Sequence, residues 1–289
     1  GTDSGTAHEV SFGGTLLNAG TQTIDITGLQ DANYYKLELN GTDTAGNVGT
    51  MLQNTNILYD ITLPTFGSVT PLTGNRIGPN TRMVAWTNSE ELASGQVEYE
   101  STAGSDSGTK YTVGFDSARK ASGAQTQDVS GLVNNSTYKL TVSGTDLAAN
   151  AGTPVVKTGL VYDNVAPGYG TITPKTDAKV NLAGRVVAWS NSETLQSGTV
   201  AYTRMGGSAD SSHSVNLATA GKLGQGGQST DVTGLVHNAI YTLTLTGMDL
   251  AGNTSGITPQ TNITYDTVVP DYGSVYPYTG VHVNASAVA

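Results

Sequence analysis

The sequence predicts an all-β protein of tandem antiparallel β-sandwiches, and three observations carry that expectation. Segments return at a spacing of 103 residues. Within each repeat, apolar and polar side chains alternate with period two. Turn residues break the alternation every 8–12 positions or so, the spacing of sandwich strands. No stretch supports a long amphipathic helix.

The repeat is read from whole motifs. Tyr59-Asp60-Ile61-Thr62-Leu63-Pro64 returns as Tyr162-Asp163-Asn164-Val165-Ala166-Pro167 and as Tyr265-Asp266-Thr267-Val268-Val269-Pro270. Gly28, Gly131 and Gly234 keep the same register, as do Tyr35, Tyr138 and Tyr241, and Asp43, Asp146 and Asp249. Trp86 recurs as Trp189. A unit of 103 residues is the size of one domain, so the chain reads as an array of whole domains. Residues 1–62 match the C-terminal part of a repeat, 63–165 and 166–268 are complete repeats, and 269–289 match the N-terminal part of a further one. A window cut from a longer array is the simplest reading. The linkers Tyr59–Pro64 and Tyr162–Pro167 are too short to fold one repeat back on another, which predicts an elongated molecule.

Seven strands are expected in the repeat 63–165: about Gly67–Thr70, Arg82–Thr87, Gln96–Glu100, Lys110–Phe115, Thr126–Val129, Tyr138–Ser143 and Lys157–Tyr162. The sixth alternates most clearly, with Tyr138, Leu140 and Val142 facing inward and Lys139, Thr141 and Ser143 outward. One helical turn is expected over Ser117–Ala121.

Composition narrows the functional classes. The 289 residues carry 23 acidic and 13 Lys or Arg side chains, a formal charge of −10. A polyanion with so few cations is ill suited to nucleic acid or to anionic membranes. No cysteine is present, which excludes disulfides, a thiol nucleophile and Cys-ligated zinc. No apolar run approaches the roughly 18 residues of a membrane-spanning helix.

Several runs in each repeat resemble fibronectin type III domains. Gly131-Leu132-Val133-Asn134-Asn135-Ser136-Thr137-Tyr138 resembles the approach to their sixth strand, with a Leu six residues ahead of a Tyr. Val84-Ala85-Trp86-Thr87 and Ser94-Gly95-Gln96-Val97-Glu98-Tyr99 resemble their second and third strands. Gly247-Met248-Asp249-Leu250-Ala251-Gly252-Asn253, followed by Ile263-Thr264-Tyr265-Asp266, is similar to bacterial Ig-like repeats of large surface adhesins. The resemblance implies that Trp189 and Tyr241 are core residues. It also implies that the Tyr241 hydroxyl meets a backbone group upstream, as a tyrosine corner.

In a sandwich of this kind, the loops after the second and sixth strands share the pole at which the first strand enters. Asp60, Glu90 and Asp146 should therefore meet ahead of the repeat 63–165, and Asp163, Glu193 and Asp249 one repeat later. Like charges at close range call for a cation, and calcium accepts six to eight oxygen ligands from separate loops. Asn150 and Asn253 would add amide oxygens. Ca2+ at the inter-domain junctions is the resulting expectation, and some adhesin repeats of this kind bind calcium between domains. The plainer alternative is that Asp146 caps its own turn amides and Asp163 is a solvated hinge residue. Asp25, Asp128 and Asp231 are read as outward polar residues that blunt strand pairing.

No catalytic constellation is found. His8, His213, His237 and His282 fall out of register and read as surface substitutions, and no serine has an elbow motif or a partnered histidine. The expected function is non-enzymatic: an extracellular structural array, a stalk, fibre or surface filament of adhesin type. Its partners would be copies of itself or neighbouring repeats end to end, together with a surface glycan or protein. The alternatives are a carbohydrate- or protein-binding module and a spacer array of a secreted hydrolase. Tyr272, Tyr276 and Tyr278 cluster at one joint, where Tyr272 aligns with Phe66 and Tyr169 and is expected to pack.

Overall fold

The computed structural model describes residues 1–257, 259–275 and 279–284, and almost all of its regular structure is strand. The chain divides into two compact units, Gly1–Ile77 with Thr81–Asp163, and Gly78–Asn80 with Asn164–Ala289.

The first unit opens with a 3₁₀ turn at Gly14–Leu17 and an antiparallel pair, β1 (Asn33–Leu39) and β2 (Leu52–Tyr59). It continues through β3 (Phe66–Thr70), β4 (Arg76–Ile77), β5 (Val84–Asn88), β6 (Leu92–Ala103), β7 (Lys110–Gly114), the single-turn helix α1 (Ser117–Lys120), β8 (Gly123–Gln127), β9 (Thr137–Asp146) and β10 (Val155–Tyr162). Strands β4-β10-β9-β6-β7 form one sheet and β3-β5-β8 a second. The second unit runs β11 (Tyr169–Thr173), β12 (Lys179–Val180), β13 (Val186–Asn191), β14 (Leu195–Gly207), β15 (His213–Asn216), β16 (Gly226–Asp231), β17 (Ala239–Asp249) and β18 (Gln260–Tyr265). Its sheets are β12-β18-β17-β14-β15 and β11-β13-β16.

Two departures from the expected strands have simple causes. The two-residue strands β4 and β12 pair in parallel with β10 and β18, and two residues are too few to show a period. The expected strand Thr126–Val129 lies instead at β8, Gly123–Gln127, where it pairs with β5. The helical turn begins at its cap, Asp116, whose carboxylate accepts the Arg119 N–H at 3.0 Å.

The core of each sandwich draws on both sheets. In the first unit Trp86 from β5 and Phe66 from β3 are buried with Val97 and Tyr99 from β6 and Leu140 and Val142 from β9. The Trp86 ring stacks on Phe115, and its Nε1–H donates to Asn88 Oδ1 at 2.7 Å. Asn88 spends its own amide hydrogens on the carbonyls of Arg119 and Ala121, both at 2.9 Å, so no buried polar group of this pair is wasted. Trp189 and Asn191 repeat these hydrogen bonds in the second unit.

Tyr138 and Tyr241 are fully buried. Each hydroxyl accepts an upstream amide, from Val133 at 2.8 Å and from Val236 at 2.9 Å. Each donates its own proton to a carboxylate that sequence reading missed, Asp106 and Asp210 respectively. Burial opposes the Asp106 charge, but the neighbouring Ser136 hydroxyl and donors from Tyr138 at 2.7 Å, Ser101 at 2.9 Å and Tyr111 at 3.0 Å outweigh it and bring its pKa down to about 2.

Asp128 and Asp231 face outward, and Arg82 and Arg185 grip them there in two-pronged pairs at 2.8–2.9 Å. Two expectations are corrected here. His8 and His213 are not surface substitutions, since each is half-buried and holds a carboxylate, Asp3 at 2.7 Å and Asp210 at 2.8 Å. Tyr272 does not pack, being 79% exposed, while Tyr276 and Tyr278 lie outside the described residues.

Candidate metal centre

The candidate centre lies within the first unit, where the strand pair β1–β2 gives way to the sandwich β3–β10. Asp60 follows the end of β2, Glu90 sits in the turn between β5 and β6, and Asp146 ends β9. A carboxylate oxygen from each lies within 4.8 Å of the others. The three are far apart in sequence and meet because sandwich topology delivers two loops and the incoming linker to one pole.

Local hydrogen bonding fixes each acid. Asp146, buried, accepts the amides of Ala148 and Asn150 on Oδ1, both at 2.8 Å, and the Asn150 side-chain amide on Oδ2 at 2.8 Å. An ionised carboxylate offers about four acceptor sites, so one remains. Asn150 also donates to the Asp60 carbonyl at 3.0 Å, which ties the linker to the loop after β9. Its amide nitrogen, rather than its oxygen, therefore faces Asp146 and the linker. Asp60 Oδ1 accepts the Thr62 N–H at 3.0 Å.

Glu90 is half-buried, and all its charged neighbours are acids. Burial pushes its carboxyl up, and Asp60, Asp146 and Asp31 push it further. Asp31 was missed by sequence reading. Its carboxylate accepts the Ile61 N–H at 2.9 Å and the Thr62 hydroxyl at 2.7 Å, and the first of these is the main cause of its lowered pKa. His237 holds the matching position in the second unit, its Nδ1 accepting the Thr267 N–H at 3.1 Å. The role at this register is to hold the linker amide, and residues of different charge perform it.

The aspartate loop is the same in all three copies. Asp43 holds Ala45, Asn47 and the Asn47 side chain at 2.8–2.9 Å, and Asp249 does so with Ala251, Asn253 and the Asn253 side chain. Ala149 adopts the left-handed backbone, φ 70°, taken by Gly46 and Gly252 at φ 89° and 88°, so the loop keeps its form there against the cost of a Cβ.

Of the remaining expected ligands, Asp163 closes the first unit. It is buried, its N–H donates to the Ile77 carbonyl at 2.8 Å, and its carboxylate lies 3.6 Å from Arg76. Glu193 and Asp249 belong to the second unit, Glu193 in the turn between β13 and β14 and Asp249 at the end of β17. Asn253 there donates to the Val165 carbonyl at 3.4 Å.

An all-oxygen set on loops, with one acid surrounded by acids, fits a hard divalent cation better than a soft transition metal. Among the described residues no helix is long and apolar enough to cross a membrane. No protein-family model matches the chain, and no curated protein does. Among solved structures it is similar to the crystal structure of chicken CNTN1 FN1-FN3 domains, at 10% identity and a TM-score of 0.35, over 79% of this chain and 78% of that one.

Proposed function

We propose that the chain is part of an extracellular structural array, a stalk or fibre of β-sandwich repeats joined end to end, with calcium at the joints. One observation carries this reading: the carboxylate of the linker residue Asp60 lies among those of Glu90 and Asp146 from the following sandwich, within 4.8 Å. A joint of this kind is repulsive when empty and becomes a tie when a cation is bound. Calcium would be held by Asp60, Glu90 and the remaining acceptor site of Asp146, with Asn150 keeping the linker in place. The sequence register gives Asp163, Glu193 and Asp249 the same role one repeat on. Extracellular modules bind calcium at about 10⁻⁴–10⁻³ M, so the joint would be loaded outside a cell and empty inside it. An elongated array stiffened this way would hold an attached domain away from a surface, and catalysis has no part in the reading.

Calorimetric titration of calcium into the chelator-treated chain tests it. Binding in that concentration range is expected, with a rise in Tm. Glu90→Gln should remove the binding assigned to this joint. Absence of binding up to about 10⁻² M, ten times the weak end of that range, would overturn the calcium reading.

A further inference from the structure

Residues 60–65 join β2 to β3, and residues 61–63 are exposed. An exposed connection ordinarily satisfies its backbone groups with water and moves more freely than the elements it joins. Here protein holds those groups from both sides. From the turn ahead of β1, the Asp31 carboxylate accepts the Ile61 N–H at 2.9 Å and the Thr62 hydroxyl at 2.7 Å. From the loop after β9, the Asn150 side-chain amide donates to the Asp60 carbonyl at 3.0 Å and reaches the Thr62 carbonyl at 3.5 Å.

Both anchors are themselves fixed. The Asn150 side chain and backbone N–H each donate to Asp146 at 2.8 Å. Next to Asp31, the Ala32 N–H donates to the Tyr59 carbonyl at 2.9 Å, which ties that turn to the last residue of β2. The far end of the linker is pinned as well. The Thr65 N–H donates to the Ser89 hydroxyl at 2.9 Å, and the Ser89 N–H returns a bond to the Thr65 carbonyl at 3.1 Å. Pro64 is buried, and its ring fixes its own φ.

Each half of the arrangement recurs within the second unit. Thr267 stands at the register of Ile61, and its N–H goes to His237 Nδ1 at 3.1 Å, at the register of Asp31. Val165 stands at the register of Thr62, and its carbonyl accepts the Asn253 amide at 3.4 Å. Gly168 and Ser192 exchange the same two bonds as Thr65 and Ser89, at 2.8 Å and 3.0 Å. A carboxylate and a neutral imidazole share one capacity, that of accepting a hydrogen bond. What is kept at this position is therefore the hold on the linker amide and not a charge.

We propose that Asp31 and Asn150 are a clamp that fixes the path of the linker with no cation bound, so that this joint is a splint and not a hinge. An acceptor on one side takes the linker N–H, and a donor on the other takes its carbonyls, so both polarities of the backbone are held. Neither half uses a metal ion. Calcium at Asp60, Glu90 and Asp146 would stabilise a path already set, and the clamp stands whether or not calcium binds.

The chain has no cysteine, so spin labels can be placed at will, at Thr55→Cys on β2 and Ala124→Cys on β8, both exposed. In chelator, pulsed electron spin resonance is expected to give one narrow distance distribution, unchanged by calcium up to about 10⁻² M. Asp31→Ala and Asn150→Ala should each broaden it, and the double variant more. Asp31→Asn should leave it narrow, since an acceptor oxygen remains and the next repeat carries Asn134 at that register. In the unaltered chain, in chelator, the Ile61 amide should exchange at least about tenfold more slowly than an unprotected peptide, as a bond to an ionised carboxylate requires. This arm needs no variant to fold. Free exchange of Ile61 would overturn the clamp, and so would a double variant as narrow as the unaltered chain. A broad distribution in chelator that calcium narrows would also overturn it while leaving the calcium reading in place. A narrow one in a chain that binds no calcium would do the reverse.

Discussion

The pair β1–β2 and the pair β9–β10 share pairing register and bulge, yet one is half-exposed and the other is the centre of a core. The difference separates two links in the chain from sequence to structure. Register is set locally, by alternation and by the conformation of the connecting loop. Asp43 and Asp146 hold their loops in the same way, through the amides two and four residues on. Burial is set non-locally, by strands from elsewhere in the repeat. Trp86, Val97 and Tyr99 close over Leu140 and Val142, and nothing described closes over Leu37 and Leu39.

The sharpest way to break the comparison is to empty the covered side. Trp86→Ala should destabilise the sandwich 63–163 by about 3–5 kcal/mol in denaturant unfolding, as large aromatic deletions do. A cost below about 1 kcal/mol would mean that the ring is not part of the core, since such values belong to surface positions. Next in size is a matched pair. Leu140→Ala should cost about 2–5 kcal/mol, and Leu37→Ala at the equivalent place about 0.5 kcal/mol or less. Equal costs would erase the distinction.

A third prediction uses the buried tyrosine network. Tyr138→Phe removes a hydroxyl that both accepts from Val133 and donates to the Asp106 carboxylate, and should cost about 1.5–3 kcal/mol. The Asp106 pKa is depressed in the folded state, so its contribution is fully present above the unfolded pKa of about 3.9. It is lost as pH falls toward the folded value of about 2. The stability gap between the chain and its Asp106→Asn variant should therefore hold at pH 7 and close between about pH 5 and pH 2. A gap that persists at the lowest pH would show that packing, not charge, is at stake.

The smallest effect belongs to the exposed ion pair. Arg82→Gln should cost about 0.2–1 kcal/mol, less at high salt, and Asp25→Asn, which breaks no pair, should cost nothing measurable.

Much of this was legible in the sequence, and the reason is the same locality. Alternation over Tyr138–Ser143 marked β9, and the recurring acids marked the trio Asp60, Glu90 and Asp146, because loop order along a sandwich fixes which pole each loop reaches. The pairing of Arg82 with Asp128 escaped notice because it spans 46 residues between neighbouring strands. The signal was present, since Arg185 and Asp231 keep the same spacing. Asp210 and His213 were hidden for another reason. Each is displaced by one residue from the register of Asp106 and Tyr111, so comparison position by position passed over them although they reach the same tyrosine corner. Asp31 was hidden because its counterpart His237 differs in charge while holding the same linker amide.

Residue-resolved amide hydrogen exchange on the intact chain tests most directly the claim that leading strands, not hairpin register, decide which copy becomes a core. Amides of β9 that face β6 should exchange only through global opening of the sandwich. The corresponding edge amides of β1 should exchange with little protection, while those paired with β2 are protected to an intermediate degree. Equal, strong protection on both edges of β1 would contradict the account, because it would mean that the hairpin already has the partner it is argued to lack.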